Sequence, residues 1–204
     1  MGLLLCLLGI QSTLLAAPPN IPKQWPDVAG KVHPVAGQPV VLAWTGLGCP
    51  MSKLYRPRLA RLADEFVPKG VRFFLLNSNS QDAPADLKKL AADFDFPVIR
   101  DAGGQLARRL QVERTTEVLL LDANGQIRYR GAVDDQFGFK ETEAGGVGAF
   151  RRPAPTQAYL KQAIVAVLAG RPVAPAKTEP YGCALGLDEA PRGNAVTFHQ
   201  HIEP

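Results

Sequence analysis

Three short runs along the chain are almost wholly apolar and do not alternate: residues 39–44 (PVVLAW), 71–76 (VRFFLL) and 118–121 (VLLL). Apolar runs too short for a helix predict strands buried on both faces. After the first run, Leu54, Leu59, Leu62 and Phe66 recur at helical spacing with Arg and Asp between them. Pro50 suits the first helical position, where a missing N–H costs nothing, and Pro57 predicts a kink further on. Residues 84–94 predict a second helix with Leu87, Leu90 and Ala91 inward, residues 96–99 a short strand and residues 105–110 a short helix. Asn124-Gly125 marks a hairpin turn into a strand at residues 127–130. The Gly-rich stretch 134–154 reads as a long loop. Thr156 is placed to cap a last amphipathic helix carrying Leu160, Ile164, Val167 and Leu168 and ended by Gly170. Strand–helix alternation implies parallel pairing through crossovers, and the hairpin adds an antiparallel edge. The expected fold class is therefore α/β, a central mixed sheet of four to five strands flanked by helices on both faces.

Composition alters this picture at the two ends. Residues 2–10 are almost entirely apolar, and residues 14–17 (LLAA) end in small side chains before Pro18-Pro19. That is the pattern of a cleaved export signal over residues 1–17, too short to remain as a membrane anchor. The expected location is periplasmic or extracellular, with no membrane attachment after removal. Residues 18–38 read as a Pro- and Gly-rich arm, 39–170 as the domain, and 171–204 as a linker and tail. The chain of 204 residues is long enough for one real core and carries no internal repeat. A net charge of +4, with basic clusters no larger than Arg108-Arg109 and Arg151-Arg152, argues against a nucleic-acid face. Cys6 falls in the signal, which leaves Cys49 and Cys183 in an oxidising compartment.

Cys49 stands where a buried strand gives way to a helix. There the helical N–H groups and dipole favour thiolate over thiol, and the thiolate is the nucleophile. Lys53, one turn on, would add positive charge, and the Ser52 hydroxyl would donate to the sulfur. The competing reading is an inert buried cysteine.

The element order, with Cys-Pro opening a Pro-bearing helix, resembles the thioredoxin superfamily. More closely it is similar to the exported redoxin proteins of the peroxiredoxin-like, AhpC/TSA type. The segments that carry the likeness are Gly48-Cys49-Pro50-Met51-Ser52 with Tyr55-Arg56-Pro57; Asn77-Ser78-Asn79 with Gln81-Asp82; Arg128-Tyr129-Arg130-Gly131 with Asp134-Asp135-Gln136; Arg151-Arg152-Pro153-Ala154-Pro155-Thr156; and Thr178-Glu179-Pro180 with Gly182-Cys183. Together they span most of residues 35–186. The resemblance implies a thioredoxin-like fold, thiol-dependent oxidoreduction and antioxidant peroxide reduction, with no cofactor or metal.

The chain departs from the patterns of these families at several points. Ser52 replaces the second cysteine of a Cys-x-x-Cys pair. Gly46 stands three positions before Cys49, where peroxiredoxins carry Thr or Ser, with Thr45 one further back and Leu42 in the proline slot. Thr116 stands in the place of the thioredoxin cis-proline, where its hydroxyl would touch the sulfur. Arg114, in the same loop, either supports a thiolate or is a surface charge.

Cys183 lies 134 positions from Cys49. It is either a resolving cysteine that attacks an oxidised Cys49, one half of a permanent structural disulfide, or unconnected to it. Residues 196–204 resemble the opening of a cytochrome c-type domain, which implies a fragment of a longer protein with an electron-transfer partner. His199, His201 and Glu203 are expected to be solvated, and His33 structural or exposed. The expected partners are a peroxide or disulfide substrate and an external thiol reductant. The alternative is a non-catalytic redox sensor or docking module, and copper handling is disfavoured because no Cys-x-x-x-Cys pair is present.

Overall fold

The structure is a computed structural model that describes residues 21–143 and 145–187. The expected signal, the C-terminal histidines and the cytochrome-like segment lie outside the described residues. The centre is a five-stranded mixed sheet in the order β5-β4-β3-β6-β7. Its strands are β3 (Val40–Trp44), β4 (Arg72–Asn77), β5 (Val98–Arg100), β6 (Val118–Leu121) and β7 (Ile127–Gly131). β3 runs parallel to β4, and β4 to β5, while β6 is antiparallel to both β3 and β7. The expected mixed α/β sheet is thus present.

The apolar runs are continuous because both faces of the sheet are covered. Val41, Ala43, Phe73, Leu75, Val118 and Leu120 face a core shared with α1 (Pro50–Phe66), α2 (Pro84–Ala91) and α4 (Tyr159–Leu168). Val40, Leu42, Trp44, Phe74, Leu76, Leu119 and Leu121 face a second core closed by α3 (Gln105–Leu110). The alternation of side chains along each strand divides them between the two cores.

The arm is part of the body. Its β1 (Gln24–Pro26) and β2 (Val32–Pro34) form an antiparallel hairpin, and Trp25 and Val35 complete the second core. The stretch expected to be a long loop contains a further antiparallel hairpin, β8 (Phe137–Glu141) with β9 (Val147–Arg151). Glycine masked it, since Gly138 and Gly148 weaken any strand pattern. Both are tolerated here for steric reasons: a Cβ on Gly138 would lie 2.7 Å from the Phe150 ring, and one on Gly148 2.9 Å from Thr142 Cγ2. Helix α1 spans Pro57 without a break and buries Ser52, Tyr55, Leu59, Ala63 and Phe66. Leu54, expected inward, is exposed. Thr156 does not cap α4, whose N-cap is Ala158; its backbone N–H instead donates to Asp135 Oδ1 at 2.7 Å.

The segment after α4 differs most from expectation. In place of a free linker, residues 176–187 run back across the sheet edge. Arg130 and Lys177 form a parallel bridge, Arg114 and Ala184 an antiparallel one. The Thr178 N–H donates to Arg130 O at 2.9 Å, and the Ala132 N–H to Thr178 Oγ1 at 3.0 Å. Gly131, at φ 142, allows this approach, because a Cβ there would sit 2.3 Å from Thr178 O.

Candidate functional site

Strand β3 ends at Trp44, and a turn of four residues delivers Cys49 to the N-cap of α1. Several polar backbone groups of that turn are held. The Gly46 N–H donates to Ser52 Oγ at 3.1 Å and the Leu47 N–H to Asp82 Oδ2 at 3.0 Å. Thr45 O accepts from Asn77 Nδ2 at 3.1 Å, and Gly46 O from Arg56 Nη2 at 3.1 Å. The buried Asp82 carboxylate also accepts from Asn77 Nδ2 at 2.6 Å and Asn79 Nδ2 at 3.1 Å. A buried carboxylate is tolerated only when so satisfied.

Cys49 is 4% exposed, whereas Cys183 is exposed, and both are free thiols. The tail brings the two together. The Thr115 N–H donates to Cys183 O at 2.8 Å and the Leu185 N–H to Glu113 O at 2.8 Å, so residues 183–185 lie antiparallel alongside 113–115 around the isolated Arg114–Ala184 bridge. Thr115 joins the two cysteines: its hydroxyl donates to Cys49 Sγ at 3.0 Å and accepts the Cys183 N–H at 3.0 Å. Each thiol is also among the groups that set the other's acidity.

These contacts govern the acidity of the two thiols. Burial pushes the Cys49 thiol up, but hydrogen bonds from the Cys183 thiol, the Thr115 hydroxyl and the Ser52 and Cys183 N–H groups outweigh it and bring it down to about 7. The Cys183 thiol is held above its ordinary value, chiefly by its hydrogen bond to Cys49 and then by burial and the nearby Cys49 charge. One thiol is thus poised as an anion and the other as its proton-bearing neighbour.

The groups around the sulfur differ from expectation at four residues. Lys53 is exposed and is not among the groups named as acting on the Cys49 thiol. Ser52 reaches the sulfur through its backbone N–H, while its hydroxyl accepts from Gly46. Thr115, not Thr116, touches the thiol: the Thr116 hydroxyl donates to Tyr181 O at 2.7 Å. Thr116 adopts φ 68, and its peptide bond is trans, so the loop turns by a left-handed residue where thioredoxins use cis-proline. Arg114 donates to Gly182 O at 3.1 Å and clasps the tail, not the sulfur.

The positive charge that does act near Cys49 is Arg56, two turns along α1. Burial pulls its guanidinium below the ordinary value against the attraction of Cys49, Asp93 and Asp82. The Tyr55-Arg56-Pro57 segment was visible in the sequence, but the inward direction of Arg56 was not. His33 pairs with Asp27 at 2.8 Å in the N-terminal hairpin, remote in sequence from either cysteine. Among the described residues no cluster of three or more His, Cys, Asp or Glu is placed to hold a metal, and no helix is long and apolar enough to cross a membrane.

Comparison with known proteins agrees with this architecture. An uncharacterised conserved protein of Geobacillus kaustophilus superposes with a TM-score of 0.72 at 25% identity, over 86% of this chain and 93% of its own. A hypothetical protein from Sinorhizobium meliloti 1021 gives 0.66 at 22% identity, over 82% and 91%. A putative thiol:disulfide interchange protein DsbE from Chlorobium tepidum gives 0.54 at 23% identity, over 71% and 92%. No curated protein matches the sequence. The redoxin family model matches residues 28–147, more than half of the chain. With its thioredoxin-like sheet and the cysteine at the head of α1, the chain belongs to the redoxin family.

Proposed function

We propose that this redoxin is a thiol-dependent oxidoreductase that reduces small peroxides by cycling between two thiols and a Cys49–Cys183 disulfide. The observation that carries the reading is Thr115, whose hydroxyl holds both a buried thiol at a helix N-terminus and the backbone of an exposed cysteine on a docked tail. The Cys49 thiolate attacks one peroxide oxygen; the S–O bond forms, the O–O bond breaks, and the leaving alkoxide or hydroxide takes up a proton. The Cys183 sulfur then attacks Cys49, forming the S–S bond as the S–O bond breaks and water leaves with the Cys183 proton. An external dithiol returns the pair to the reduced form, so one peroxide is reduced to alcohol or water for each dithiol oxidised.

Exposure assigns the order of the last step. The reductant meets the exposed Cys183 sulfur first, and Cys49 leaves as the more acidic thiol, which is the faster direction of exchange. Arg56 supports the thiolate by charge, and Thr115 supports it by its hydroxyl.

A small oxidant is favoured over a protein disulfide because the tail already fills the backbone edge at residues 113–115, where an extended peptide would add. The Thr or Ser of peroxiredoxins has no room at position 46: a Cβ there would lie 2.6 Å from Asn79 Nδ2 and 3.1 Å from Thr115 Cγ2. Thr115 supplies the hydroxyl contact with the sulfur in its place. The reading places the protein outside the cytoplasm, on the strength of the apolar run at residues 2–10 and the small residues before Pro18. Residues 171–187 act as part of the domain, and any cytochrome c-type partner would follow them.

The test is mass spectrometry of the reduced protein before and after one equivalent of hydrogen peroxide, with free thiols alkylated. Rapid loss of the Cys49 thiol with a Cys49–Cys183 disulfide is expected, and Cys49→Ser should abolish it. Survival of both thiols in a large excess of peroxide would withdraw the enzymatic reading in favour of a docking module.

A further inference from the structure

The tail must hold Cys183 over Cys49 without a covalent link in the reduced state, and residues 113–116 supply only one side of that grip. The other side is the loop after β4. The Ser80 N–H donates to Gly186 O at 2.8 Å, and the Gly186 N–H donates to Asn79 Oδ1 at 2.8 Å. Asn79 is buried, and its Nδ2 donates to Asp82 Oδ2 at 3.1 Å. The orientation of this amide is unambiguous, because a carboxylate demands the nitrogen and a backbone N–H demands the oxygen. The same Asp82 oxygen accepts the Leu47 N–H, two residues before Cys49. A continuous path therefore runs from the Cys49 turn through Asp82 and Asn79 to Gly186, three residues after Cys183.

We infer that Asn79 is a positioning residue for the resolving step, fixing the tail in the register that sets the Cys183 sulfur against Cys49. The inference rests on the proposed Cys49–Cys183 cycle. Asn79 touches neither sulfur in this role. It contributes by keeping Cys183 at high effective concentration, an advantage that is lost when the tail samples other positions. Thr115 grips the tail at Cys183 itself, whereas Asn79 grips it downstream, so the chain carrying Cys183 is held on both sides of the site.

The experiment is quenched-flow oxidation of the full chain by hydrogen peroxide, with trapping that separates two rates. The first is loss of the Cys49 thiol, which depends on peroxide concentration. The second is appearance of the Cys49–Cys183 disulfide, which does not. For Asn79→Ala the first rate is expected within about twofold of the parent and the second slowed about five- to tenfold, the equivalent of one lost hydrogen bond. Gly186→Pro removes the N–H that Asn79 accepts and also brings a Cβ to 2.3 Å from Gln81 Oε1, so it displaces the tail at the same point and is expected to slow the same step. It serves as the second variant if Asn79→Ala fails to fold. On a Cys183→Ser background, Asn79→Ala should leave the rate of Cys49 oxidation unchanged, because Asp82 keeps the Leu47 N–H and Asn77 Nδ2 donors.

Equal slowing of both steps, or an altered Cys49 oxidation rate on the Cys183→Ser background, would overturn the inference in favour of a merely structural role. Unchanged disulfide closure in both Asn79→Ala and Gly186→Pro would overturn it outright. If the parent protein forms no Cys49–Cys183 disulfide, the proposed cycle itself fails, which is a separate result from parent closure with unaffected variants.

Discussion

The corner that presents Cys49 and the tail that presents Cys183 are built on opposite principles. The corner is covalently short, and the turn between β3 and α1 has backbone groups tied to Ser52, Arg56, Asn77 and Asp82. The tail makes no regular element and is held by a few main-chain bridges, glycines at points of close approach and the hydroxyls of Thr115, Thr116 and Thr178. One thiol is therefore fixed and buried, and the other is exposed on a segment anchored by Leu185 and Leu187 on the second core and by Tyr181 against Phe139. A segment outside every helix and strand opens at lower free energy than the core it lies on. A resolving cysteine needs that freedom, because the disulfide shortens the distance between the sulfurs and the exposed sulfur must then meet a reductant.

The largest separation between the two regions should come from a core truncation. Phe66→Ala, at the end of α1 and 1% exposed, should cost about 3–5 kcal/mol of global stability. Urea unfolding would measure it, and a loss below about 1 kcal/mol would break the view of the α1 side as a rigid platform. Gly182→Ala attacks only the tail. A Cβ there would lie 1.8 Å from Thr115 O, which no side-chain adjustment relieves. Disulfide closure should fall by about tenfold or more as the tail is displaced, with the urea midpoint nearly unchanged, and coupled loss of both would show that tail and core unfold together.

A smaller effect should come from Thr115→Val, which removes the hydroxyl that joins the two regions. The Cys49 thiol, at about 7 in the parent, is mostly protonated below that pH and mostly thiolate above it. The pH dependence of its alkylation should move upward by about one unit in the variant, while Thr115→Ser should restore the parent profile. An unmoved profile would assign the acidity to the remaining donors alone. The smallest effect belongs to Lys53→Ala: the exposed ammonium leaves the alkylation profile unchanged, and a shift would show a long-range charge contribution that geometry does not support.

Some of this organisation was legible in the residues. The apolar runs gave the sheet because strands covered on both faces have no polar positions to spare, and Asn124-Gly125 gave the antiparallel edge. The place of Cys49 followed from the strand running into Cys-Pro. The β8–β9 hairpin stayed hidden because its glycines answer to the Phe150 ring and Thr142, contacts that no local pattern encodes. Thr116 was expected at the sulfur and Thr115 stands there. The left-handed φ at Thr116 sends its hydroxyl to Tyr181 instead, and a one-residue change of facing cannot be read from identity alone.

The sequence by itself determined the order of elements, the mixed sheet and the cysteine at the head of α1, since burial period and turn chemistry are local properties. Only the tertiary structure decided which groups surround that cysteine. Arg56 in place of Lys53, Thr115 in place of Thr116, and Arg114 on the tail instead of the thiolate depend on the direction of each side chain once helix and loop are packed. The tertiary structure also decided that Thr115 holds Cys183 beside Cys49 across 134 positions of chain. No local pattern could specify that meeting, because it depends on the shape of the sheet edge to which residues 176–187 return.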